Sequence, residues 1–390
     1  MHQSTTDPPP RVLHLTQPVD GGVARVVTDL ARDQLAAGLC VAVACPDGPL
    51  AARLAALGAD VRPWAAAREP GPSLVAEVRR LAAVLADVRP GLVHAHSAKA
   101  GLAGRLAVRG RIPTVFQPHA WSFEAAGGVT GALAAGWERW AARWADRIVC
   151  VSEAERRRGL RAGVRGRWSV VPNGIDTDRF RPAAAGPARA ALPGDAGPHA
   201  PLVVCVGRLC RQKGQDVLLA AWEPVLRRVP DARLVLVGDG PDGARLRDLA
   251  PSSVRFAGAV DDPVPWYRAA DLVVLPSRWE GMALAPLEAM ACARAVLVTD
   301  VDGARESLPA ALAPHCLVPP RDPAALAGAV AALLLDPGLR ARLGREGRRH
   351  VLSSHDVRDT AGAVRAVYRE LLGGPRAAAA APDDRESVPS

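Results

Sequence analysis

Two carboxylates, Glu280 and Glu288, stand with seven residues between them in the stretch Arg278-Trp279-Glu280-Gly281-Met282-Ala283-Leu284-Ala285-Pro286-Leu287-Glu288. The apolar run Leu272-Val273-Val274-Leu275 ahead of it reads as a buried strand, with Pro276-Ser277 as its turn. A helix beginning near Gly281 leaves Glu280 in the loop before it and puts Glu288 about two turns along, at ~3.6 residues per turn. Both carboxylates would then face one cleft. They can accept hydrogen bonds from hydroxyl groups, while the free N–H groups and positive end of the helix favour a phosphate. Such an element suits a phosphorylated sugar.

A second charged set, Gly207-Arg208-Leu209-Cys210-Arg211-Gln212-Lys213-Gly214, follows the strand-like run Leu202-Val203-Val204-Cys205-Val206. Arginine and lysine five positions apart on a glycine-bounded loop can neutralise a diphosphate from two sides. Lys99 and Lys213 are the only two lysines in this arginine-rich chain, and both lie in such loops. Gly21-Gly22 opens another element of the same kind, where glycine lets a ligand approach backbone N–H groups. His94, His96 and His119 sit at strand ends. His94 and His96 can be read as a metal pair, but no third ligand stands at suitable spacing, and the non-metal reading is preferred.

The elements that must position these residues alternate. Strands are expected at Arg11–Thr16, Cys40–Ala44, Asp60–Trp64, Leu92–His96, Thr114–Gln117 and Ile148–Val151, separated by Ala/Leu/Arg-rich helical stretches. A second series runs through Leu202–Val206, Leu234–Val237, Val254–Gly258, Leu272–Leu275 and Ala295–Thr299. This pattern predicts parallel sheets covered by helices, with ligands bound beyond the carboxyl ends of the strands. A helix is expected from about Val23 to Ala37, a linker over Pro182–Pro201, helical structure from Arg321 to about Leu372, and a disordered tail over 374–390. Trp137, Trp140 and Trp144 fall at helical spacing within Gly131–Ala145 and read as core rather than as a membrane-surface face. Gly238-Asp239-Gly240-Pro241-Asp242-Gly243 is a literal Gly-x-Gly-x-x-Gly after a strand, which keeps a dinucleotide-binding oxidoreductase in view.

Taken in order, these motifs resemble the family-four retaining glycosyltransferases of group 1. Glu280-Gly281 followed by Pro286-Leu287-Glu288-Ala289-Met290-Ala291 is similar to the family's Glu-seven-residues-Glu signature. Gly207-Arg208-Leu209 with Lys213-Gly214 resembles its diphosphate motif, Val237-Gly238-Asp239-Gly240-Pro241 its nucleotide-contacting turn, and Pro172-Asn173-Gly174-Ile175-Asp176 its interdomain connector. That connector is read as a rigid hinge with no ligand role. Ala293-Arg294-Ala295-Val296 departs from the family's Gly-Arg-Pro-Val, and Asp302-Gly303 from its Gly-Gly.

The resemblance implies a GT-B architecture. A Rossmann-like acceptor domain would span 11–171, a connector 172–200, a nucleotide-sugar domain 201–355, and a helix over 356–373 would cross back to the first domain. It also implies roles for individual residues. Arg208 and Lys213 would hold the diphosphate with Gly22, Gly238 and the helix end Gly281, Met282, Ala283 and Leu284; Glu288 would bind ribose, Glu280 a sugar hydroxyl, and His119 would orient the sugar. Gly21, His96, Lys99 and Trp121 would face the acceptor. The implied reaction moves a sugar with retention from a UDP or GDP sugar, without cofactor or metal, to a lipid-linked saccharide or a natural product. A nucleotide-sugar epimerase on the same scaffold is the main alternative, with a non-catalytic nucleotide-binding protein and the oxidoreductase behind it.

Composition narrows the partners. The formal charge is +9, but its arginines are spread along the chain and aromatics are 4 %, so no basic stripe for nucleic acid emerges. Seven cysteines without a Cys-x-x-Cys pair read as free thiols of a cytoplasmic protein. The polar, proline-rich start is not a signal peptide. The apolar stretch Pro323–Leu335 falls short of the roughly 20 residues of a membrane span, so any membrane contact would be peripheral.

Overall fold

A computed structural model describes residues 10–68, 71–190, 192 and 200–373. The expected tail over 374–390 lies outside the described residues, as does most of the polar start. The strands are β1 (Arg11–Thr16), β2 (Cys40–Cys45), β3 (Asp60–Pro63), β4 (Leu92–His96), β5 (Thr114–Gln117), β6 (Arg147–Cys150) and β7 (Trp168–Val170) in one sheet. The other holds β8 (Leu202–Val206), β9 (Arg233–Val237), β10 (Val254–Gly258), β11 (Leu272–Leu275), β12 (Ala295–Thr299) and β13 (Leu317–Val318). All strand pairings are parallel. That explains why central strands such as Leu92–His96 and Ala295–Thr299 are buried throughout: helices cover both faces, so no polar alternation is needed.

The strand orders are β3-β2-β1-β4-β5-β6-β7 and β10-β9-β8-β11-β12-β13. Each order reverses once, between β1 and β4 and between β8 and β11. A crevice opens at such a switch point because the connections on its two sides leave in opposite directions. The loops after these four strands carry Gly21-Gly22, Ser97, Arg208 with Lys213, and Glu280. By contrast, Gly238-x-Gly240-x-x-Gly243 follows β9, away from the reversal, so topology does not favour the dinucleotide fingerprint. Its glycines answer to packing: a Cβ on Gly238 would lie 2.2 Å from the Gly207 carbonyl oxygen, and one on Gly240 2.3 Å from that of Leu209.

Strand ends shift by one residue at β2, β3, β6 and β9, β7 and β13 go beyond the expected strands, and three further readings differ. The first helix starts at Gly21 rather than Val23. The stretch read as a plain linker contains the helix Ala185–Ala190. The helix after Glu280 starts at Leu284, not near Gly281. Its end is a Schellman turn, with Arg294 N–H donating to Ala289 O (3.0 Å) and Ala293 N–H to Met290 O (2.8 Å). This turn puts Ala293 at φ 57°, a left-handed conformation in which its Cβ crowds the following carbonyl. The family's glycine is the residue suited to that position. The chain's last described helix, Val357–Gly373, lies against Gly21–Ala36 and β4 of the first sheet.

Replacing Ala293 by glycine removes the left-handed penalty, and Ala293→Gly is expected to raise the denaturation midpoint by the equivalent of about 0.5–1 kcal/mol. Gly303→Ala should do the reverse. Its Cβ would fall 1.6 Å from the Gly281 carbonyl oxygen, and the overpacking is expected to cost about 2–3 kcal/mol in chemical denaturation.

Candidate active site

Three residues at the ends of β4 and β5 hold backbones that side chains rarely adopt: Ser97 (φ 68°), His119 (φ 57°) and Ala120 (φ 110°). Such conformations persist where surrounding contacts over-determine them, and they gather at functional sites. The contact here is Glu155, whose buried carboxylate accepts from Ala120 N–H (2.6 Å) and Val151 N–H (2.8 Å). Burial pushes this carboxyl up to about 7, against the pull of its two backbone donors. Ser152 caps the same helix by accepting from Glu155 N–H (3.0 Å).

Across the crevice lies the second domain's charged set. Lys213 Nζ lies 2.5 Å from Glu280 Oε1, which also accepts from Ser277 Oγ (2.6 Å). Glu280 therefore carries the lysine on one oxygen, while Arg208 is half-buried on the same loop. Glu288 is engaged as well: it accepts from Tyr267 Oη (2.6 Å) and forms an ion pair with Arg25 of the first domain. Sequence reasoning missed Arg25, since 263 residues separate the partners.

Between the carboxylates, Gly281-Met282-Ala283 is not helical. Its carbonyls are taken by the first domain and the connector: Ser152 Oγ donates to Gly281 O (3.0 Å) and Asn173 Nδ2 to Met282 O (2.7 Å). The connector asparagine thus shapes the loop, which corrects its reading as a hinge alone. Ala283 at the N-cap makes no side-chain capping bond to the first turn of this helix. A Cβ on Gly22 would meet the Leu284 side chain at 3.8 Å, so the Gly21-Gly22 turn lies beside the helix end.

A cavity of about 640 Å³ opens from His119 toward the first domain, walled by Ser97, Trp121, Leu133, Trp137 and Trp279. Two expected acceptor residues are committed elsewhere. Lys99 Nζ lies 2.7 Å from Glu77 Oε2 with both side chains at most 2 % exposed, and Trp121 is buried with its indole N–H donating to Glu155 O (2.8 Å). Both border the cavity as its frame. The tryptophan stripe is only partly core. Trp140 is 46 % exposed while Trp137 and Trp144 are half-buried, and the three rings meet tilted or edge to face, with Trp140 and Trp144 centroids 4.3 Å apart. The helix Gly128–Ala141 fully buries only Glu138 and Ala141.

The third histidine that spacing did not reveal is His14, registered beside His94 on β1. His14, His94 and His96 offer ligand atoms within 4.8 Å of one another. His14 Nδ1 and His96 Nε2 are 2.9 Å apart and bonded to each other, while the His94 ring lies over His96 at 3.9 Å between centroids. The His14–His96 hydrogen bond already engages one ring nitrogen of each residue. Burial pushes His14 down to about 4 and His119 to about 3, and lowers His94 and His96 as well.

Comparison with known proteins agrees with this fold. Residues 20–179 match the model described as Glycosyltransferase Family 4, and residues 200–336 that of Glycosyl transferases group 1. The chain belongs to this glycosyltransferase family and has its GT-B fold. It is 33 % identical over 311 residues to an alpha-maltose-1-phosphate synthase of Mycolicibacterium smegmatis, covering 72 % of this chain and 79 % of the relative. It is 34 % identical to the lipopolysaccharide core biosynthesis mannosyltransferase LpcC of Rhizobium leguminosarum, over 53 % of this chain and 61 % of that one. Among solved structures, sucrose-phosphate synthase of Thermosynechococcus elongatus superposes with a TM-score of 0.77 at 25 % identity, covering 93 % of this chain and 99 % of the other. Anabaena Alr3699/HepE, solved with UDP and glucose, shares the fold with a TM-score of 0.80 at 21 % identity, covering 93 % and 100 %.

Two outcomes follow from the charges. Glu155→Gln puts an amide N–H against one of two backbone donors. It should lower stability by about 1–3 kcal/mol and loosen the His119–Ala120 turn, read by thermal denaturation and by hydrogen exchange of Ala120. The buried imidazoles bind protons later than they would in the unfolded chain, so stability should fall as pH drops from 6.5 toward about 4. Glu155 and Glu124, pushed up by burial to about 7 and about 8, work in the opposite sense above 4.5, and the four buried histidines outnumber them. A melting temperature that stays level from pH 6.5 to 4.5 would contradict this account.

Proposed function

We propose that this chain transfers a sugar from a nucleoside-diphosphate sugar to an acceptor hydroxyl with retention at the anomeric carbon. The observation that carries the reading is the facing of two switch-point loops: Arg208, Lys213 and Glu280 on one side, and the strained His119 turn with its cavity on the other. The uncapped start of Leu284–Ala291, Arg208 and Lys213 stabilise the charge that develops on the departing diphosphate, so the reaction needs no metal. Glu288 receives ribose hydroxyls, exchanging its contact with Arg25 for them. Glu280 and His119 hold the transferred sugar, and a donor phosphate oxygen takes the acceptor proton as the acceptor attacks from the leaving-group side.

The donor base is uridine or guanosine; the Anabaena neighbour's complex with UDP-glucose supports the former. The cavity wall of Leu133, Trp137 and Trp279 suits an acceptor with an apolar part, such as a lipid-linked saccharide or an aromatic natural product. No single helix among the described residues is long and apolar enough to cross a membrane. Val129, Leu133 and Trp140 are exposed on one helix beside this wall, which supports peripheral contact with the inner membrane face from the cytoplasm.

Calorimetric titration of UDP and GDP in the presence of a chelator tests the donor side. One of them should bind, and Lys213→Ala should weaken it about tenfold or more, the scale of a lost charge-assisted hydrogen bond. Glu280→Gln should leave nucleotide affinity within about threefold while abolishing most turnover, since it acts on the sugar. NMR of the product from an α-linked donor should show an α linkage. Failure of both nucleotides to bind would overturn the reading. Epimerised nucleotide sugar formed without acceptor would favour the isomerase.

A further inference from the structure

A line of buried polar groups leads from the crossing helix to His119. Gln34 Nε2 faces Tyr368 Oη at 3.5 Å, and Gln34 Oε1 lies 2.8 Å from His14 Nε2. His14 Nδ1 meets His96 Nε2 at 2.9 Å, and His96 Nδ1 meets His119 Nε2 at 3.1 Å. The Tyr368 hydroxyl also lies 2.5 Å from His94 Nδ1. Gln34, His14, His96 and Tyr368 are all buried, at no more than 1 % exposure.

A neutral imidazole has one N–H and one lone pair, so each bond in this line dictates the next. With its amide N–H turned to Tyr368, Gln34 presents oxygen to His14. His14 then carries its proton on Nε2 and accepts at Nδ1 from His96 Nε2–H. His96 in turn accepts at Nδ1 from His119 Nε2–H. The line ends at Gln34, which does not titrate, so it carries orientation rather than protons to solvent.

We infer that Tyr368 and Gln34 are positioning residues that fix the tautomer of His119 through His14 and His96, leaving His119 Nδ1 as a hydrogen-bond acceptor for a substrate hydroxyl. The inference rests on the glycosyl-transfer reading for the identity of that hydroxyl, but not for the tautomer. Helix Val357–Gly373 belongs by sequence to the second half of the chain, so the far domain sets the chemistry of a side chain in the near one.

The test is nitrogen NMR of the full-length protein labelled with 15N-histidine, with the His119 signals assigned by their loss in His119→Gln. In the wild type at neutral pH, Nδ1 of His119 should resonate as the bare nitrogen and Nε2 as the protonated one. Tyr368→Phe and Gln34→Met should mix or reverse this pattern. They should also lower kcat about five- to tenfold, the scale of one misaligned hydrogen bond, with nucleotide affinity unchanged. A wild-type His119 protonated on Nδ1 would overturn the inference, as would unchanged His119 signals in both variants. If one variant misfolds by circular dichroism, the wild-type spectrum and the other variant decide. Loss of nucleotide binding in the wild type would bear on the transfer reading and leave the tautomer result standing.

Discussion

The shape of the loop Gly281-Met282-Ala283 depends on donors from the other domain. A segment outside helix and sheet must still pair its buried carbonyls, and here Ser152 and Asn173 supply the partners. With its carbonyls taken by Ser152 and Asn173, the loop leads into a helix without a side-chain N-cap. The same logic runs in reverse at Glu306, whose carboxylate in the second domain accepts from Glu153 N–H and Ala154 N–H, each at 2.7 Å. Each domain thus completes the backbone bonding of the other at the crevice.

Charge at the site follows a consistent pattern. The chain's two lysines each meet a glutamate, Lys99 with Glu77 in the interior and Lys213 with Glu280 at the crevice. The first pair is sealed and acts as scaffold. The second sits at the crevice, its lysine 19 % exposed against a buried Glu280. Replacement of lysine by arginine elsewhere fits sites that are bidentate or exposed, such as Arg278 on Asp216 with two bonds of 2.8 Å.

How much of this was legible depended on sequence distance. The strands, both sheets and the motifs at the ends of β8 and β11 could be read because each is a local pattern of apolar run, glycine and charge. Glu280 and Lys213 were singled out by type and spacing. His14 beside His94 was not, since it requires knowing that β1 pairs with β4. Arg25 against Glu288 and Tyr368 against His94 depend on domain closure and on the returning helix, for which no local signal exists. The helix start was placed three residues early because glycine and alanine after Glu280 are compatible with a helix, and only the demands of Ser152 and Asn173 hold them out of it. Of the tryptophans read as core, Trp137 and Trp144 are half-buried and Trp140 faces out, because helical spacing reports a shared face, not which way the face looks.

The returning helix also orders the events of synthesis. Tyr368 reaches His94 across 274 residues and Gln34 across 334, so the first sheet waits for the end of the chain to complete its buried polar line. A nascent chain can assemble β1 to β7 while the second half is still being made, but the imidazole row then lacks its terminal hydroxyl. Such long loops make the last contacts slow and place them late. The two sheets, although separate in sequence, therefore mature as one cooperative unit, and a chain stopped short of its final helix would carry an unfinished interior in an otherwise complete first half.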